Sequence, residues 1–166
     1  MKKLMAAVLA AMMMLSLTAC SGDGESSGAS ESSQSSSQAE TVTADALAQK
    51  MVEATTFNDE VIAISEDVVP NYYTLPDSVS DYAVYMCPTG ATVEEISVFR
   101  TDDAAAVEEM IQNHLAARTT EYESYRPAEV QKLDNAAVVK EDGYVAVIIA
   151  DDTAPAQSAF EEALGK

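Results

Sequence analysis

The chain has 166 residues, nine of them Lys or Arg against 28 Asp or Glu, for a formal net charge of −19. So large a carboxylate excess repels phosphate and excludes nucleic acid and anionic lipid headgroups as partners held by surface charge. A single histidine and two cysteines give no cluster from which a metal site or a His-based catalytic set could be assembled.

In chain order, Lys2 and Lys3 precede an apolar run from Leu4 to Leu17, which is too short to span a bilayer and fits a signal peptide, residues 1–19. Leu17-Thr18-Ala19-Cys20 resembles a bacterial lipobox, which implies that Cys20 takes a diacylglyceryl group and becomes the first residue of the mature chain. Two acyl chains anchor stably where one does not. The expected partner at this end is therefore the membrane, through lipidated Cys20, with the remainder on the extracytoplasmic face. Residues 20–41 are almost all Ser, Gly, Gln, Glu and Ala and read as a disordered linker. Such a coil spans on the order of 25 Å. Two of the nine basic residues precede Cys20 and every acidic residue follows it, so the mature chain carries −21.

Residues 42–166 are long enough for one domain with its own core. "ADALAQKMVEAT" predicts a helix with Leu47, Met51 and Ala54 inward, and "SEDVVPNYYTL" predicts a short helix or turn. "DYAVYMC" and "ISVFRT" read as strands joined by a loop containing Pro88 and Gly90. A long helix follows, with Val107, Met110, Ile111, His114, Leu115 and Tyr122 on one stripe, ending before Pro127. "VVKEDGYVAV" predicts a hairpin turning on Asp142-Gly143, and a last helix opens near Pro155. Laid without gaps, "ISVFRTDDAAAVEEMIQNHL" and "VAVIIADDTAPAQSAFEEAL" share an apolar strand, an Asp pair and an amphipathic helix. The expected fold is α+β and two-layered. A duplicated strand-strand-helix unit makes a four-stranded antiparallel sheet with two helices on one face, preceded by an N-terminal helical segment.

The alternation of β-strand side chains places Ile96 and Val98, with Val145, Val147 and Ile149, toward those helices. Phe99, Ala146 and Ile148 then point to the far side, with Tyr144 beside them. Either the segment from Ala44 to Leu75 covers that face, or Phe99, Tyr144 and Ile148 form an exposed interaction surface for an envelope protein.

"DYAVYM", "GATVEEISVF" and "KLDNAAVV", downstream of a Ser-rich lipoprotein leader, resemble domain of unknown function 4358. The resemblance extends over residues 44–164. It implies a small exported lipoprotein, of a kind found mostly in Gram-positive anaerobes, with a small residue usual where Cys87 stands. It implies no activity.

The remaining chemistry is sparse. Asp102-Asp103 and Asp151-Asp152 precede helices and read as caps. The stretch "DDTAPAQSAFEE" begins like a calcium loop, but Pro155 and Ala156 stand where a ligand and a glycine are needed. Cys87 reads as a small apolar residue, without a disulfide partner once Cys20 is lipidated. His114 reads as a histidine at the core edge, and the seven tyrosines as packing residues. No catalytic residue, metal ligand or cofactor is expected. The sequence points to a non-enzymatic binding module of the envelope; the alternatives are a small-solute or cation-binding lipoprotein, or an enzyme.

Overall fold

The computed structural model describes residues 42–166; the expected signal peptide, the expected lipidation at Cys20 and the expected linker lie outside the described residues. The elements are α1 (Ala44–Ala54), β1 (Ile62–Ala63), β2 (Val79–Met86), β3 (Glu95–Thr101), α2 (Ala104–Tyr125), α3 (Val130–Asp134), β4 (Ala137–Glu141), β5 (Tyr144–Ile149) and α4 (Ala154–Ala163). Short 3₁₀ turns occupy Val69–Asn71 and Pro127–Glu129.

Local chemistry sets most of these boundaries. The Thr43 side chain accepts the Ala46 N–H at 3.1 Å and starts α1. Asp103 does the same for α2, accepting from Ala106 N–H at 3.1 Å. That helix stops at Arg126, because a residue before proline is driven out of helical geometry. Asp142 and Gly143 both have positive φ, +48° and +82°, as a tight two-residue hairpin requires. Pro155 lies in the first turn of α4, where its missing N–H costs nothing.

The sheet is antiparallel throughout, in the order β1-β2-β3-β5-β4. β3 and β5 are central, and every residue of β5 is buried. A strand buried on both faces needs cover on both sides, and the cover is divided. Tyr82, Val84, Phe99, Val145, Val147 and Ile149 meet Val107, Met110, Ile111 and Tyr122 of α2, Val69 and Tyr73 of the segment before β2, and Leu133 of α3. Ala83, Ile96, Val98, Tyr144, Ala146 and Ile148 meet Ala44, Leu47, Ala48 and Met51 of α1 together with Ala156 and Phe160 of α4.

The α+β class and the antiparallel sheet match the expectation, but three details change. A fifth strand, β1, pairs with the end of β2. The domain has three layers, because α2 and α4 pack on opposite faces and α1 joins α4. The β3 facing is also reversed: Phe99 lies opposite Val145, and Ile96 opposite Ile148. Directly paired residues share a face, so a one-residue slip moves a whole strand's side chains across the sheet. Phe99 therefore faces α2, while Tyr144 and Ile148 face α1 and α4. All three are buried, at 0, 4 and 0 % exposure, so they do not form an exposed interaction surface. Ala54, expected inward, is exposed at the end of α1.

Because Phe99 is enclosed, Phe99→Asp buries a charge with no partner and should cost about 3–5 kcal/mol in urea unfolding. A variant within about 0.5 kcal/mol of wild type, the usual range for a surface substitution, would mean that this face is open.

Candidate functional site

The register that turns Phe99 toward α2 brings Glu95 and Ser97 to the same face, beneath the helix. Glu95 has no exposed surface. An ionised carboxylate there is tolerable only if donors replace water. His114 Nε2 lies 2.9 Å from Oε2, Ser97 Oγ donates to Oε1 at 2.6 Å, and the Tyr73 hydroxyl donates to the same Oε1. The other ring nitrogen of His114, Nδ1, is 3.2 Å from the Tyr72 carbonyl oxygen. Tyr73 stacks on the imidazole with ring centroids 4.2 Å apart and meets Phe99 edge-on at 5.1 Å.

Burial by itself would raise the Glu95 pKa. The charge of His114 and the hydrogen bonds from His114, Ser97 and Tyr73 outweigh it and hold the carboxyl below its ordinary value. The Tyr73 phenol moves the other way, well above its ordinary value, first through burial and then through the adjacent Glu95 charge. Tyr73 thus remains a donor and Glu95 an acceptor. Both neighbours of the imidazole, a carbonyl and a carboxylate, accept hydrogen bonds, so each ring nitrogen that carries a proton has an acceptor within reach. His114 is more than the core-edge residue read from the helix stripe: it is 4 % exposed and joins α2, β3 and the segment before β2.

Two clefts open beside this cluster, and Tyr72 borders both. One, about 480 Å³, lies between the Tyr72–Pro76 segment and the Ala106–Ala117 side of α2, with Glu109, Asn113 and His114 along it. The other, about 370 Å³, is bounded by Pro88, Thr89 and Gly90 and by Arg118, Glu121, Tyr122 and Tyr125. The Arg118 guanidinium carbon sits 4.7 Å from the Tyr122 ring centroid and 5.9 Å from that of Tyr72. Tyr125 is 63 % exposed and Tyr72 36 %. Both expose far more than the buried tyrosines 73, 122 and 144.

The other polar groups have structural roles. Buried Glu94 accepts the Asn58 N–H at 3.0 and 2.9 Å and the Lys132 ammonium at 3.2 Å, and Lys132 also reaches Glu129 at 3.1 Å. This clip joins the loop after α1 to the start of β3 and to α3. Cys87 is free and buried, 3.2 Å from Thr89 Oγ1. Burial pushes its thiol up, but hydrogen bonds involving Thr89 and Thr92 bring it below the ordinary value. Of the Asp pairs, Asp103 caps α2 and Asp152 accepts the Ala154 N–H at 3.0 Å. Asp151 accepts from the Asn58 amide instead. Among the described residues no group of three or more His, Cys, Asp or Glu side chains is arranged to hold a metal.

Fold and site together define an α+β domain with a sheet covered on both faces, a buried carboxylate–imidazole cluster under α2 and two tyrosine-bordered clefts above it. The chain belongs to the family described as domain of unknown function DUF4358, whose model matches residues 53–150. The match takes in all five strands, α2, α3 and both clefts; α4 and nearly all of α1 fall outside it. No curated protein and no solved structure matches the chain.

Removing one member of the buried pair leaves the other uncompensated. His114→Leu should cost about 3–5 kcal/mol by chemical denaturation. The depressed Glu95 pKa stabilises the fold above the ordinary carboxylate range, and this contribution is lost as the pH falls through the folded-state value. The stability gap between wild type and Glu95→Gln should therefore narrow on acidification below about pH 4. A gap that stays constant as the pH falls through and below that range would mean that Glu95 is not held ionised by the fold.

Proposed function

We propose that this protein is an exported lipoprotein, anchored through Cys20, whose folded domain is a non-enzymatic binding module on the extracytoplasmic face of the membrane. The anchor reading rests on the "LTAC" context behind a basic and apolar leader. Within the described residues no helix is long and apolar enough to cross a membrane, so a membrane location would come from the lipid.

The binding reading is carried by the two clefts that share Tyr72. They present partly exposed tyrosines, a guanidinium and amide and hydroxyl groups, the mixture favoured at recognition surfaces. His114, the one histidine, has both ring nitrogens within hydrogen-bond distance of partners in the fold, a carbonyl and a carboxylate. A second reading, capture of a small solute, is favoured by the larger cleft, whose roughly 480 Å³ falls within the usual range for small-molecule sites. A duplicated origin of the two strand-strand-helix units rests on sequence similarity alone. Neighbouring antiparallel strands interchange about an axis perpendicular to the sheet, which keeps each helix on its face, so the opposite docking of α2 and α4 counts against it.

Cys20→Ala should abolish detergent partitioning and the lipid mass increment while leaving the domain folded. Retention of both would refute the anchor. For the binding surface, a photo-crosslinker in place of Tyr125 should capture an envelope component that the same group at Glu141, on the β4–β5 hairpin, does not. Tyr72→Ala should weaken that capture. Equal capture from both positions would refute the tyrosine surface. A solute that raises the melting temperature, with no macromolecule captured, would favour the second reading.

A further inference from the structure

The segment Val69–Pro76 is a strap laid over the sheet, and its attachment is unusually polar for a core contact. Val69 and Tyr73 are buried, whereas Tyr72, between them, stands half-out at the edge of both clefts. Three contacts tie the strap to the buried pair: the Tyr73 hydroxyl on Glu95, the Tyr73 ring on the His114 ring, and the Tyr72 carbonyl on His114 Nδ1.

The geometry points to a proton-operated latch: the His114–Glu95 pair holds the strap closed while it contains its full complement of protons, and loosens the strap at Tyr72 when one is lost. The Tyr72 carbonyl can only accept. The ionised Glu95 carboxylate can only accept, and its Oε1 already receives two hydroxyls. An imidazolium supplies both N–H groups that these neighbours need. A proton shifted from His114 to Glu95 would satisfy the same contacts. Removing that proton from the pair leaves two lone pairs facing each other at one contact. The hydrogen bond to the charged carboxylate is the stronger, so the one given up is the neutral bond to the Tyr72 carbonyl.

The surroundings offer no substitute donor on the sheet. Opposite Glu95 lie Met86 of β2 and Ile149 of β5, and opposite Ser97 lie Val84 and Val147, none of them titratable. From the strap comes Tyr73, held neutral. From α2, Arg118 is placed between the rings of Tyr72 and Tyr122 with NH1 on Glu121, and Glu109 lines the larger cleft. The sign follows: the strap is latched at lower pH and released as the pH rises. The latch concerns this chain's own contacts; only its effect on binding, through Tyr72, rests on the function proposed above.

The test is hydrogen exchange on the full-length mature protein between about pH 5 and about pH 8, the range in which an unperturbed imidazole changes charge; a ring signal that does not move within that range would overturn the latch. Results are expressed as protection factors so that the intrinsic pH dependence cancels, and the His114 ring is followed by NMR over the same samples. Protection of the Tyr72 and Tyr73 amides, which bond to Val69 O at 2.9 and 3.0 Å, should fall about tenfold, the scale of one lost hydrogen bond. The midpoint should coincide with that of the ring signal, and β3 and β5 amides should keep their protection. His114→Gln should remove the step. If that variant does not fold, the shared midpoint in wild type remains the criterion. Strap protection that is flat across the ring titration, a step with a separate midpoint, or a step that survives in a folded His114→Gln would each overturn the latch. None of these readouts involves a cleft ligand, so failure of the binding reading leaves the result intact.

Discussion

A carboxylate without exposed surface in the middle of a sheet constrains everything around it. Glu95 is tolerated because β3 delivers Ser97 two residues on, α2 delivers His114 and the strap delivers Tyr73, so donors from three separate pieces of chain converge on two oxygens. The convergence fixes relative positions that apolar packing would leave looser, because a hydrogen bond tolerates less misplacement than a methyl contact. It sets where along its length α2 meets the sheet, and it keeps the strap in place although little regular structure holds it. The clefts are by-products of this arrangement. They lie where the strap and the Pro88–Gly90 loop approach the side of α2 without closing on it.

The opposite face follows a simpler rule. There α1 and α4 lie side by side on small and branched residues, Ala83, Ile96, Val98, Ala146 and Ile148. Thr43 and Val42 help fix the start of α1: Thr43 caps it, and the Tyr144 hydroxyl donates to the Val42 carbonyl. The two faces thus divide the work. One is apolar packing that lets β3 and β5 be hydrophobic on both sides, and the other carries the polar cluster and the two clefts that Tyr72 borders.

Much of this was legible in the chain. The Asp142-Gly143 turn, the Asp103 cap, the stop before Pro127 and the stripe from Val107 to Tyr122 are local signals, and each corresponds to an observed element. The site was not legible, and the cause is a single register choice. Placing Ile96 and Val98 under the helices sent Glu95, Ser97 and Phe99 to the far face, where a glutamate needs no explanation. The informative clue was the oddity of "VEEISVF": two glutamates directly against a strand of Ile96, Val98 and Phe99 broken only by Ser97, in which the buried option for Glu95 is beneath a partner. Sequence supplied the partner, His114 on the apolar stripe, but periodicity cannot pair two residues nineteen positions apart on different elements. The opposite docking of α2 and α4 was missed for a related reason. The unbroken apolar run Tyr144–Ile149 itself called for cover on both sides, whereas similarity between two segments suggested helices on one.

The strap gives the buried cluster a route to the surface through a single peptide unit. Tyr73 points inward and Tyr72 outward, so the carbonyl between them belongs at once to the core network and to the backbone that carries an exposed ring. The inward anchor is strong, combining ring stacking, an edge contact with Phe99 and a charge-assisted hydrogen bond. The outward tie is a single hydrogen bond to a backbone carbonyl, at 3.2 Å. A disturbance of the cluster would therefore reach the strap backbone at Tyr72 first, with the Tyr73 side chain still held on Glu95. Tyr72 borders both clefts, so the proposed latch would reach them through this one residue.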